Sequence, residues 1–111
     1  VTTNSGSFDL IEETWFNLRR SFDDAQQRLS TKAARERLLA DRDGARDAYY
    51  AARGKDFDEQ DEFIKKTKKE LARATAAMKV ELQSLEDLDS LLKAVSSAVK
   101  LSAALAGMVV A

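Results

Sequence analysis

Any chemistry in this chain has to come from carboxylates, lysines, arginines and hydroxyls, because the sequence holds neither histidine nor cysteine. The missing imidazole removes the commonest general base and transition-metal ligand, together with the usual pH switch. The missing thiol removes disulfides and thiolate chemistry. Acidic pairs are plentiful: Glu12 with Glu13, Asp23 with Asp24, Glu86 with Asp87. Sequence neighbours on a helix point about 100° apart, so these pairs do not converge on one site and read as a solvated face.

The densest acidic stretch, "DFDEQDE" from Asp56, invites a calcium reading. An EF-hand loop needs glycine at its sixth place and glutamate at its twelfth. Counted from Asp56, those places hold Asp61 and Thr67, so the reading fails and helix-start acids explain the cluster. Gly54–Lys55 lacks the upstream glycine of a phosphate-binding loop. "FIKKTKKE" packs four lysines around Thr67, but acids flank it on both sides, and no exposed aromatic is expected between them for base stacking. Tyr49 and Tyr50 are adjacent, so only one can face a core; the other is a candidate interface anchor. No catalytic, cofactor-binding or metal-ligating residue is assigned. The expectation is a non-enzymatic protein with no small-molecule ligand.

Composition bounds the rest. The 111 residues are room for one domain, with 44% apolar and 33% charged side chains. Proline is absent and glycine occurs four times, which permits long helices. The net charge of −1 lacks the broad positive field of a general nucleic-acid binder, so none is expected as a partner. Residues 1–30 carry three basic and five acidic side chains, and residues 31–55 seven and four. These segments can attract each other within one bundle. The opening "VTTNSGS" has no charged region followed by an apolar one, so no signal peptide is expected in this chain and a cytoplasmic location is the default.

The elements that would position any site are helices. Phe8, Ile11, Trp15, Leu18, Phe22, Ala25 and Leu29 step by 3, 4, 3, 4, 3, 4, an unbroken heptad seam that must be buried. Asp9 with Glu12 fits a capping box for it, and Ser7 competes as N-cap. The phase then slips at Ser30–Thr31, where either a tight turn or a stutter fits. The following segment has a thin, alanine-rich face that lets a neighbour approach closely, with Gly44 in its middle. Gly54 after Arg53 reads as a helix end, and Asp56 with Glu59 as the cap of the next helix. Ile64, Leu71, Ala74, Met78, Leu82, Leu85, Leu88, Leu92, Val95 and Val99 continue at helical spacing. Within that run, Ser84 with Asp87, or Asp87 with Ser90, offers a restart.

The chain closes on "AVSSAVKLSAALAGMVVA". A membrane span needs about 20 apolar residues. Only eleven follow Lys100, and reaching back to Leu91 takes in Lys93 and Lys100. Past Lys100 the polar face disappears, and a helix apolar all round wants cover on both sides. One stripe holds Leu101, Leu105 and Met108; its neighbour holds Val99, Ala103, Ala106 and Val110.

The fold expected is all-α: an antiparallel helical bundle of three to four helices, or a long coiled-coil helical hairpin. Residues 1–7 are expected to form a flexible tail and residues 8–111 a single helical domain. Phe8, Ile11, Trp15, Leu18, Phe22 and Leu29 form the core seam. The function expected is that of an interaction or structural subunit, self-associating or binding a partner protein through its heptad seams and C-terminal helix. Leu101, Leu105, Met108, Val109 and Val110 are the contact residues. The alternative is a membrane-surface or membrane-inserting protein using helix 91–111.

Overall fold

A computed structural model describes residues 6–108, which hold four helices and no strand. Helix α1 spans Ser7–Arg28, α2 Lys32–Ala52, α3 Glu62–Ser84 and α4 Leu88–Ala106. The slip at Ser30–Thr31 is a turn. Thr31 caps α2 by accepting from the Ala34 N–H, while Arg35 and Gln26 cross the turn to the carbonyls of Leu29 and Arg35. Gly54 follows α2 at φ +74°, a left-handed conformation that costs other residues about 1–2 kcal/mol. Asp87 caps α4, accepting from both the N–H and the hydroxyl of Ser90, so the second of the two restarts is the one used.

Two caps differ from the sequence expectation. The Asp9–Glu12 box does not form, and Ser7 lies inside α1 rather than capping it. Its place is taken by Glu59, from the α2–α3 connection, which accepts from the Ser7 N–H (3.0 Å) and the Ser7 hydroxyl (2.7 Å). Helix α3 is capped instead by Asp61, whose carboxylate accepts from Phe63 and Ile64. Ser7 is fully buried, so the helical domain already includes residues 6–7, and residues 1–5 lie outside the described part.

Consecutive helices run antiparallel, as their short connections require. The two hairpins then lie side by side in parallel. Ser7 meets Glu59 just ahead of α3, and Thr14 meets Thr75 one level up. Likewise Arg37 meets Ser96, and Gly44 approaches Val99. Helices α2 and α3 occupy opposite corners without touching, whereas α1 and α4 touch across the other diagonal. Helix α4 therefore contacts all three others.

The core follows from that arrangement. Ile11, Trp15, Leu18, Phe22, Ala25 and Leu29 are buried, and Phe8 is half-buried against the same cluster. Helix α2 contributes Leu38, Ala45, Ala48 and Ala52, α3 Ile64, Leu71, Met78 and Leu82, and α4 Leu91, Leu92, Val95, Ala98, Val99, Leu105 and Ala106. The small face of α2 admits α4 so closely that a Cβ on Gly44 would stand 3.0 Å from Val99 Cγ1. Two buried hydroxyls meet between α1 and α3. Thr14 gives its only hydroxyl proton to the Leu10 carbonyl (3.0 Å), so Thr75 must donate to Thr14 across the 3.0 Å gap.

Candidate functional site

Helices α3 and α4 leave an open groove along their outer seam. Glu70, Arg73 and Ala74 line it from α3; Ser97, Lys100 and Leu101 line it from α4. Further down the same seam, Phe63, Ile64 and Met108 form a second recess with Asp58 and Asp61 of the preceding connection. The floor is apolar because the i, i+3, i+7 positions of an amphipathic helix turn partly inward at its flank. Leu101, Met108 and Ala74 are half-buried there, packed against the core cluster.

The five expected contact residues separate. Leu101 and Met108 sit in the groove and its lower recess. Leu105 is fully buried in the core, so it is not a surface residue of the folded chain. The reason is α4's central place: a helix flanked by three others needs apolar residues on three sides, and no partner molecule is required to cover Leu105. What α4 does present to solvent near its end is small, namely Ala103, Ala104 and Gly107. Val109 and Val110 lie outside the described residues.

Charge is segregated around this groove. Residues 62–80 and 90–108 together carry eight basic and two acidic side chains, a balance of +6. The remaining residues carry ten basic and seventeen acidic ones, a balance of −7. Three of the eight cations are engaged: Lys65 pairs with Glu62 (3.8 Å), Lys68 with Glu59 (3.2 Å) and Lys79 with Glu13 (2.8 Å). The other five, Lys66, Lys69, Arg73, Lys93 and Lys100, are exposed, and none has a carboxylate of the described residues within 4 Å. Helix α3 also carries two exposed large apolar side chains, Phe63 (75% exposed) and Val80 (64%). An exposed aromatic therefore does stand beside the lysine run, contrary to the sequence expectation.

Sequence reasoning missed this basic band because its two halves lie apart in the chain. Acids at 56–62 and 81–89 cancel it in any running sum along the sequence. A helical-wheel reading of "FIKKTKKELAR", with Arg73 one turn beyond the lysines, held half of the signal.

A second surface lies on the opposite hairpin. Tyr49 is half-buried, stacked between Phe8 and Phe16 at centroid distances of 5.5 Å each, and Tyr50 stands 58% exposed beside it. One tyrosine faces inward and one outward, as adjacency requires. Arg19 covers the Phe16 ring at 5.1 Å and the Trp15 ring at 5.7 Å. A cation from its own chain, Arg19, already covers part of this patch.

Among the described residues no group of three or more acidic side chains is placed to hold a metal ion, and no helix is long and apolar enough to cross a membrane. No protein family, no characterised protein and no solved structure matches the chain.

Proposed function

We propose that the protein is a non-catalytic helical interaction module that holds a segment of a partner protein in the α3–α4 groove. The observation that carries this reading is the groove itself, an open seam with an apolar floor of Ala74 and Leu101, continued below at Met108, and with the unpaired cations Arg73 on one rim and Lys100 on the other. Such a seam matches the helix-in-groove mode of recognition, where apolar anchors fill the floor and charges on the rim set orientation. Self-association of two such faces is opposed by like charge, because each brings the same exposed cations. A partner of different charge is the better occupant, and the chain alone is expected to be monomeric by light scattering at micromolar concentration.

Selection from a displayed library of short helical peptides tests the reading. Binders should move the backbone amide resonances of Ala74, Ser97, Leu101 and Met108. Ser97→Trp, which fills the groove from an exposed position, should abolish binding while leaving the helical signal intact. Binders that map to Phe16 and Tyr50 instead, or no binders at all, would refute the groove as the functional surface.

A further inference from the structure

We infer that the occupant of the α3–α4 groove is a short acidic amphipathic helix. This rests on the groove being the interaction surface and adds the chemistry of what it takes. Three features of the molecule select that occupant.

The first is the charge of the rims. Along the α4 rim, residues 90–108 hold Lys93 and Lys100 and no acid. Along α3, Arg73 and Glu70 border the groove itself, and Lys66 and Lys69 add unpaired positive charge on the same helix. An incoming segment therefore meets net positive charge along these two helices, with Asp58 and Asp61 bordering the recess at the Met108 end, so its flanks are best acidic over the rest of its length.

The second is the floor. Leu101 and Met108 lie seven residues apart, the repeat of two helical turns, with Met108 in the turn just past the end of α4 and Ala74 opposite Leu101. A ridge of apolar side chains at i, i+3/i+4 and i+7 on a docked helix has the same repeat and fits between the rims.

The third is the frame, and it excludes larger polyanions. The basic band ends at both extremes in acids: Asp56, Asp58, Asp61 and Glu62 below, and Glu81, Glu86, Asp87 and Asp89 above. From Phe63 to Val80 the band is roughly 26 Å long at 1.5 Å per helical residue. A flat anionic membrane or a long nucleic acid would cross the band and meet repulsion at each end. A helix of about 17 residues lies wholly within it.

The test uses the full chain and synthetic probes. One is an acetylated and amidated 17-residue helix with leucines at i, i+3/i+4 and i+7 and glutamates on both flanks. The second is the same peptide with every glutamate replaced by lysine. Binding is read by fluorescence anisotropy at 50 and 500 mM salt. The glutamate peptide should bind, weaken as salt screens the rims, and outbind the lysine peptide. The exposed double charge reversal Arg73→Glu with Lys100→Glu should weaken it about tenfold and favour the lysine peptide, with the melting temperature little changed.

Equal, salt-insensitive binding of both peptides would overturn the acidic assignment and leave the groove reading standing. Failure of both peptides overturns the assignment as well, and the library selection then decides the groove by itself. Vesicles of three parts phosphatidylserine to seven of phosphatidylcholine, and a 20-nucleotide single strand, complete the test. Binding of either with the affinity of the glutamate peptide would replace the acidic helix with a membrane or a nucleic acid.

Discussion

Glu59 joins three elements through one carboxylate: it closes the N-terminus of α1 through Ser7 and pairs with Lys68 on α3. Partial burial opposes its charge, but the two Ser7 donors and the Lys68 ammonium outweigh that and hold its pKa below the ordinary glutamate value of 4.5. A lowered carboxylate pKa stabilises the fold above the unfolded-state value, and the contribution disappears as pH falls through the folded value. Stability should therefore drop on acidification below about pH 4.5, and less steeply in Glu59→Gln, which keeps one acceptor for Ser7 but cannot titrate. Urea unfolding at pH 3.5 and pH 7 measures both slopes; parallel behaviour of the two chains would show that the clamp carries no charge-dependent stability. At pH 7, Glu59→Ala should cost about 1 kcal/mol, the usual effect of losing an N-cap acceptor. The sequence offered four acids between Asp56 and Glu62 besides Glu59, each fit to cap a helix locally. Only the packing of the connection against α1 decides that Glu59 serves the helix fifty-two residues behind it.

At the scale of elements, the seam of α1 was legible because its residues are bulky and its period is unbroken; nothing but burial accommodates Trp15, Leu18 and Phe22 on one line. The helix end at Gly54 was legible because one residue had no competitor, whereas Ser30–Thr31 fitted a turn or a stutter and Asp87 fitted two restarts, so packing made both choices. The environment of α4 was not, because periodicity reports which face is apolar and not how many helices cover it. Leu105 illustrates the difference: its exposure is 0% in the single chain. Leu105→Lys should unfold the protein or cost more than about 3 kcal/mol, since it buries a charge with no partner in place of a core leucine. Lys100→Leu, one turn earlier and outward, should leave the melting temperature within a few degrees. Similar small losses for both would place Leu105 at the surface. The α2–α4 contact makes a second prediction. Gly44→Ala removes a helix penalty of about 1 kcal/mol, but its Cβ would press on Val99 Cγ1 at 3.0 Å. The two effects should nearly cancel, leaving stability changed by less than about 0.5 kcal/mol, whereas Gly44→Leu should cost at least about 2 kcal/mol by overpacking. A full gain from alanine would mean that α2 and α4 have slack between them.

The whole molecule is two helical hairpins that share one core. Leu18 and Phe22 of the first hairpin and Leu91 and Val95 of the second belong to the same buried cluster. The helices of one hairpin lie parallel to their counterparts in the other, and α4 reaches across the diagonal to α1. Neither hairpin can bury its apolar face alone, since α2 offers mainly alanines to α1 and α4 is apolar toward three neighbours. Isolated helices of about twenty residues are marginal in water, so most of their stability has to come from this shared packing. Unfolding should thus be a single cooperative event. The chain provides its own reporter, because its one tryptophan, Trp15, sits in the first hairpin while far-ultraviolet dichroism reads both. Urea titrations followed by the two signals should give coincident midpoints. Chains cut to residues 6–55 or 56–108 should each lose most of their helical signal and regain it when mixed. If tryptophan fluorescence changes at a lower urea concentration than dichroism, the hairpins are separate folding units. The basic groove, which lies wholly on α3 and α4, would then form without the first hairpin.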